Sequence, residues 1–157
     1  MDFWQTTLAV GTGAFVATLA SRWVGFLISK PERTEAERDQ DLLRLEKTIS
    51  EIERLGVDYW FVAGDGTIPD MASDTISSKL LSAGKLVSRL FENERTLQKA
   101  VDIKLNRLDV KITSGSFGGT ARDAEPIRKA SIEDAAISLT DQAIRCRRKL
   151  KRKFLRS

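Results

Sequence analysis

The sequence predicts an all-α protein, in which a single N-terminal transmembrane helix is followed by a cytoplasmic helical hairpin or bundle with coiled-coil-like helices. Three observations carry this expectation. Residues 3–28 hold one charged side chain, Arg22, whereas the chain from Lys30 onward is rich in charge. Beyond Lys30, apolar residues recur at spacings of three and four, the period of an amphipathic helix. Glycine and proline are few and clustered, which leaves long stretches where helices can run unbroken. The expected division is an anchor over 1–30 and a helical domain over 31–157, ending in a basic tail over 145–157.

The anchor comes first. Residues 3–28 would make a helix of ~39 Å, against a hydrocarbon core of ~30 Å. Trp4 and Trp23 would then lie ~28 Å apart along the axis, one near each interface, where an indole finds both an apolar and a wet environment. Arg22 beside Trp23 can snorkel to the inner headgroups. Lys30 and Arg33 follow the apolar run and only Met1 and Asp2 precede it. The positive-inside bias therefore puts the N-terminus outside and the domain in the cytoplasm, across a cell inner membrane. The competing readings are a secretory signal peptide, for which the basic n-region is missing, and a buried soluble helix. Thr7, Gly11, Ala14, Thr18, Ser21 and Gly25 form a stripe of small residues on one face, of the kind that lets two helices approach closely in lipid.

Pro31 should end or kink the anchor helix. A helix is then expected over 32–55, with Leu42, Leu45, Ile49 and Ile52 on its apolar face and Gly56 as its stop. Tyr59, Trp60 and Phe61 are consecutive and cannot share one helix face, so a short irregular or β segment is expected near 57–68. From Asp74 to Ile112 a second apolar stripe includes Ile76, Leu80, Ala83, Val87, Leu90, Leu97, Val101 and Leu108. It is either one helix of ~57 Å or two broken near Asn93, with Ser73 or Asp74 as N-cap. Residues 113–126 contain Ser114-Gly-Ser-Phe-Gly-Gly119 and read as a flexible connector. The last helix should begin near Ile127 or Ser131, where Ser131-Ile-Glu-Asp134 resembles a capping box. Ile132, Ala136, Leu139, Ala143, Cys146 and Leu150 continue its apolar stripe. Leu45, Ile49, Leu80, Val87, Leu97, Leu139 and Leu150 are the expected core.

The composition narrows the chemistry. The chain has no histidine, which removes histidine metal ligands and histidine-based triads. Cys146 is the single cysteine, so an internal disulfide cannot form, and it reads as a small core residue. Ala63-Gly-Asp-Gly-Thr67 resembles the Gly-Asp-Gly-Thr core of the phosphate-binding loop in lipid kinases and NAD kinases. The resemblance covers five residues and departs at Ala63, where those families usually carry a further glycine. It implies a loop whose backbone N–H groups face a phosphate. A turn between helices is the alternative for the same string. Asp58, Asp65, Asp70 and Asp74 lie around it and carry the oxygen ligands that Mg²⁺ accepts, but nothing in the spacing fixes a geometry. No cofactor or metal site is expected.

Charge is concentrated at the C-terminus. Arg145, Arg147, Arg148, Lys149, Lys151, Arg152, Lys153 and Arg156 follow Asp141 with no acid among them. The chain carries +4 in all, of which these contribute +8, so the remainder is −4. Leu150, Phe154 and Leu155 are interleaved, a pattern suited to an anionic lipid surface and also to nucleic-acid phosphates. The expected function is a non-catalytic, membrane-anchored scaffold or accessory subunit, meeting lipid and a protein partner or itself. The alternatives are a membrane-tethered nucleic-acid binder or sensor, and a phosphate-binding enzyme using Gly64–Gly66.

Overall fold

The computed structural model describes residues 35–61, 64–65, 71–119 and 121–155. They form helices α1 (35–61), α2 (Met71–Leu90), α3 (Arg95–Thr113) and α4 (Arg128–Phe154), with two-residue strands β1 (Gly64–Asp65) and β2 (Ala121–Arg122) in the connectors. The chain divides into two compact units, Met1–Asp39 and Gln40–Ser157.

The second unit is a closed four-helix bundle in which each helix runs antiparallel to the next. Lys79 pairs with Glu51, and Arg89 with Asp41, which sets α2 against α1. Gln98 reaches Ser88, setting α3 against α2. Lys153 meets Glu94, and Arg128 meets Ser114, setting α4 against α3. Val57 lies near Lys129 and Glu46 near Asp141, so α4 returns alongside α1. The inward stripes follow from the three-four spacing: Leu45, Ile49 and Ile52 on α1, Ile76, Ala83, Val87 and Leu90 on α2, Val101, Leu108 and Ile112 on α3, and Ile132, Ala136, Leu139, Ala143, Cys146 and Leu150 on α4. Of the expected core, Leu45, Ile49, Val87, Leu139 and Leu150 are fully buried, while Leu80 and Leu97 are partly buried at its edge.

The break between α2 and α3 falls at Asn93, which has φ +70. Asparagine tolerates this left-handed conformation better than most residues, and the chain reverses there. The stretch 74–112 is thus two helices, which makes a four-helix bundle from what otherwise reads as three.

Several boundaries differ from the sequence expectation. Gly56 does not stop α1, which continues to residue 61. Gly56 is buried where α1 crosses α3, and a Cβ there would lie 3.0 Å from Ile112 Cδ1. It is a close-approach glycine within a helix. Tyr59 and Trp60 are therefore helical, both buried, and Phe61 alone faces outward. Of the expected β segment near 57–68, residues 57–61 are helical and Gly64–Asp65 form a strand paired antiparallel with Ala121–Arg122. α2 begins at Met71, so Ser73 and Asp74 lie inside its first turn. α4 begins at Arg128 with no side-chain cap, and Ser131 Oγ donates back to the Arg128 carbonyl, so Ser131–Asp134 is not a capping box.

Among the described residues no helix is long and apolar enough to cross a membrane. The proposed anchor lies outside the described residues, and with it Trp4, Arg22, Trp23 and the stripe Thr7, Gly11, Ala14, Thr18, Ser21 and Gly25.

Candidate functional site

Two surfaces of the bundle carry chemistry suited to a partner. The first is an open groove of about 970 Å³ along the outer face of α2 and α3. Its floor is Leu80, Leu105 and the small Gly84, and Leu81 stands at its side with 63% of its surface exposed. Gly84 matters to the shape, because the bare backbone leaves the floor to Leu105, whose Cδ2 lies 3.9 Å from where a Cβ would sit. The rims differ in charge. Lys85 and Arg89 lie on the α2 side, and Asp102 and Asp109 on the α3 side. Burial holds the Asp102 carboxyl above its ordinary pKa, with a hydrogen bond from Gln98 acting against the shift. Gln98 also donates to Ser88 across 3.2 Å, beside the groove's Asn93 end.

The second surface is one end of the bundle. Arg145, Arg148, Lys149, Lys151, Arg152 and Lys153 are exposed on the last turns of α4, and Arg95 and Lys99 are exposed on the first turns of α3. Phe154 and Leu155 are 51% and 79% exposed beside them. The expected tail is thus the end of a continuous helix as far as Phe154, and Arg156 lies outside the described residues. Arg147 is a correction to the surface set. It is 3% exposed, on the stripe that turns inward, because it follows Cys146 and precedes Leu150 by three. Lys153 is engaged with Glu94, which ties the end of α4 to the start of α3.

The opposite end is closed by the connectors. Trp60 Nε1 donates to the Ile112 carbonyl at 2.8 Å, and the Glu125 N–H donates to the Trp60 carbonyl at 2.9 Å. The Arg128 guanidinium lies 3.8 Å over the Trp60 ring and donates to the Ser114 carbonyl. Tyr59 packs on Trp60 and Phe117, and its hydroxyl accepts from the Gly118 N–H at 2.8 Å. Gly115, at φ +79, leaves room for Arg128, whose Nη2 would be 2.7 Å from a Cβ there. Residues 113–119 are accordingly pinned onto the aromatic pair, contrary to the flexible connector expected from composition.

Of the enzyme-like string Ala63–Thr67, only Gly64 and Asp65 are among the described residues, and Ala63 lies outside them. Gly64 and Asp65 form a strand pair with Arg122 and Ala121, and Gly66 and Thr67 lie outside the described residues. Asp58 and Asp74 are both exposed, Asp70 lies outside, and no group of three acidic or sulfur ligands that could hold a metal occurs among the described residues. Cys146 is 1% exposed, and burial pushes its thiol pKa up, against the opposing effects of Gln142 and Lys149.

The groove residues Leu81, Gly84, Lys85, Asp102, Leu105 and Asp109 were not legible as a set. Only the reversal at Asn93 brings the two faces together, and the available signal was the asparagine itself. Arg95 and Lys99 were hidden because they join the α4 cations only after the chain has reversed through the connector 114–127. The chain has no significant match among protein-family models, curated protein sequences or solved structures.

Proposed function

We propose that this protein is a non-catalytic scaffold or accessory subunit, anchored by residues 3–28 with its N-terminus outside, and that its cytoplasmic bundle receives a helix of a partner protein. The observation that carries the reading is the α2–α3 groove. It has an apolar floor, open length and rims of opposite charge, which is the recognition chemistry of an amphipathic helix laid in a groove. The complementary helix has an apolar stripe for Leu80, Leu81 and Leu105, an acidic residue facing Lys85 and a basic residue facing Asp102 or Asp109. The anchor reading rests on the apolar run and its flanking tryptophans and cations.

The test places a photo-crosslinking residue at Leu81 and, as a control, at Ile137, which is similarly exposed on the α1–α4 side. A single adduct expected from Leu81 in native membranes, absent from Ile137, should disappear with Lys85→Glu and Asp102→Lys. Equal labelling from both positions, or an adduct indifferent to charge reversal, contradicts the reading.

A further inference from the structure

The bundle has a polar arrangement of charge along its axis. α1 enters the bundle at Gln40, and its first buried residue, Asp41, is held by Arg89 in the last turn of α2 at 2.9 Å. The same end holds Glu94 at the head of α3 and Lys153 at the foot of α4, joined to each other. The point at which the chain enters from its apolar N-terminal segment is therefore also the end that displays the cations of α4 and of α3. The far end displays exposed charge of both signs, Asp58, Asp123 and Asp134 with Arg54 and Lys129, whereas at the near end the exposed cations of α3 and α4 outnumber the exposed Glu92. Favourable interaction with the α4 dipole explains cations in its last turn, but not Arg145 two turns earlier or Arg95 and Lys99 at the start of another helix.

We propose that this end of the bundle binds anionic lipid headgroups, with Arg148, Lys149, Arg152, Arg95 and Lys99 facing phosphates and Phe154 and Leu155 entering the interface. The inference rests on the anchor reading, because Gln40 follows Lys30 by ten positions in the chain, which bounds how far the bundle can stand from a bilayer that residues 3–28 span. A short tether converts weak headgroup contacts into a high local concentration, so a modest cationic surface suffices. The exposed apolar pair adds a contribution that salt does not screen, since apolar burial involves no charge and salt does not weaken it, while the ionic part falls with the Debye length. Nucleic acid offers the same phosphate charge, but Phe154 and Leu155, 51% and 79% exposed among the cations, suit a lipid interface rather than phosphates alone.

The experiment uses the full chain with Leu155→Cys labelled by a maleimide fluorophore, and in parallel Phe61→Cys at the far end. Cys146 is buried and stays unlabelled in the folded protein. Each protein is reconstituted with neutral phosphatidylcholine vesicles and with vesicles containing phosphatidylglycerol, both carrying a headgroup quencher. The label at residue 155 should be quenched in the anionic vesicles and far less in the neutral ones, and the label at residue 61 in neither. Arg148→Gln, Lys149→Gln and Arg152→Gln together should lower the bound-to-free ratio of this end roughly 100-fold. Equal quenching at residues 155 and 61 in anionic vesicles overturns the proposal, as does release of the quench by RNA at equal phosphate concentration. Flotation separates the two readings. Protein that floats with neutral vesicles while residue 155 stays unquenched in anionic ones sinks this inference and leaves the anchor. Protein that floats only with anionic vesicles sinks the anchor and supports the cationic surface.

Discussion

Trp60 Nε1 donates a 2.8 Å hydrogen bond to the carbonyl oxygen of Ile112, 52 positions further along the chain. Ile112 is in the last turn of α3, where helix carbonyls have no partner within the helix. The indole supplies one, from a buried position and across a helix–helix contact. Trp60→Phe keeps an aromatic ring and removes the donor. It should destabilise the bundle by about 1–3 kcal/mol, the range for leaving one buried polar group unmatched. Urea unfolding of the two proteins measures this, and an unchanged midpoint would mean that the carbonyl finds water.

Gly56 and Ile112 are coupled by distance. Alanine is normally preferred over glycine inside a helix by roughly 0.5–1 kcal/mol. Here the added methyl would meet Ile112 Cδ1 and Cγ1 at 3.0 Å, so Gly56→Ala is expected to cost about 1–3 kcal/mol through overpacking. Ile112→Val alone should cost about 0.5–1.5 kcal/mol by removing a buried methyl. The double variant should be more stable than the sum of the two losses predicts, because valine removes Cδ1, one of the two atoms at 3.0 Å, and leaves a smaller side chain to shift away from the alanine. Strict additivity in a double-mutant cycle would contradict the close approach.

The same glycine and tryptophan mark where the sequence stops being legible. The three-four stripes of Leu45, Ile49, Val87, Leu139 and Leu150 were legible because burial on one helix face imposes that period. The end of α1 was not. Gly56 is equally a stop or a close contact, and only the crossing with Ile112 decides between them. Tyr59, Trp60 and Phe61 read as non-helical because they cannot share one face. In the fold, Tyr59 and Trp60 cover adjacent parts of the bundle end while Phe61 faces outward. The connector 113–119 read as flexible from its glycines, but Gly115 serves the approach of Arg128 and the Gly118 N–H meets Tyr59. Of the cationic set, composition could show the charge, but not that Arg147 turns inward or that Arg95 and Lys99 join it.

Glu53 makes stability depend on pH. Burial pushes its carboxyl above the ordinary value of 4.5, and the negative charge of Glu133 adds to the shift. The folded state therefore binds this proton more tightly than the unfolded chain. The resulting stability is fully present below the unfolded pKa and is lost as pH rises through the folded one, so the ionised carboxylate is a constant penalty above it. Glu53→Gln should raise the melting temperature at pH 7, with the gain vanishing by about pH 3. A gain of equal size at both pH values would place its origin in packing rather than in ionisation.

Asp41 is enclosed while its partners are not. Its side chain is 5% exposed, against 63% for Arg89 and 61% for Arg44. Arg89→Ala leaves the carboxylate with the longer Arg44 contact at 3.5 Å, and should cost about 1.5–3 kcal/mol, the range for a hydrogen bond to a charged group. Asp41→Asn with Arg89→Ala should recover part of that loss, since the buried charge is then absent. Chemical unfolding checks both, and a double variant as unstable as the single one would show that the charge is not what the arginine serves.

An anchored scaffold requires above all that residues 3–28 hold the protein in a bilayer. Alkaline carbonate extraction of membranes from cells producing the full chain tests this directly, because high pH strips proteins attached by surface charge and leaves those that span. The full chain is expected to remain in the membrane pellet, and a chain lacking residues 1–34 to appear in the supernatant. Release of the full chain into the supernatant would contradict the anchored scaffold.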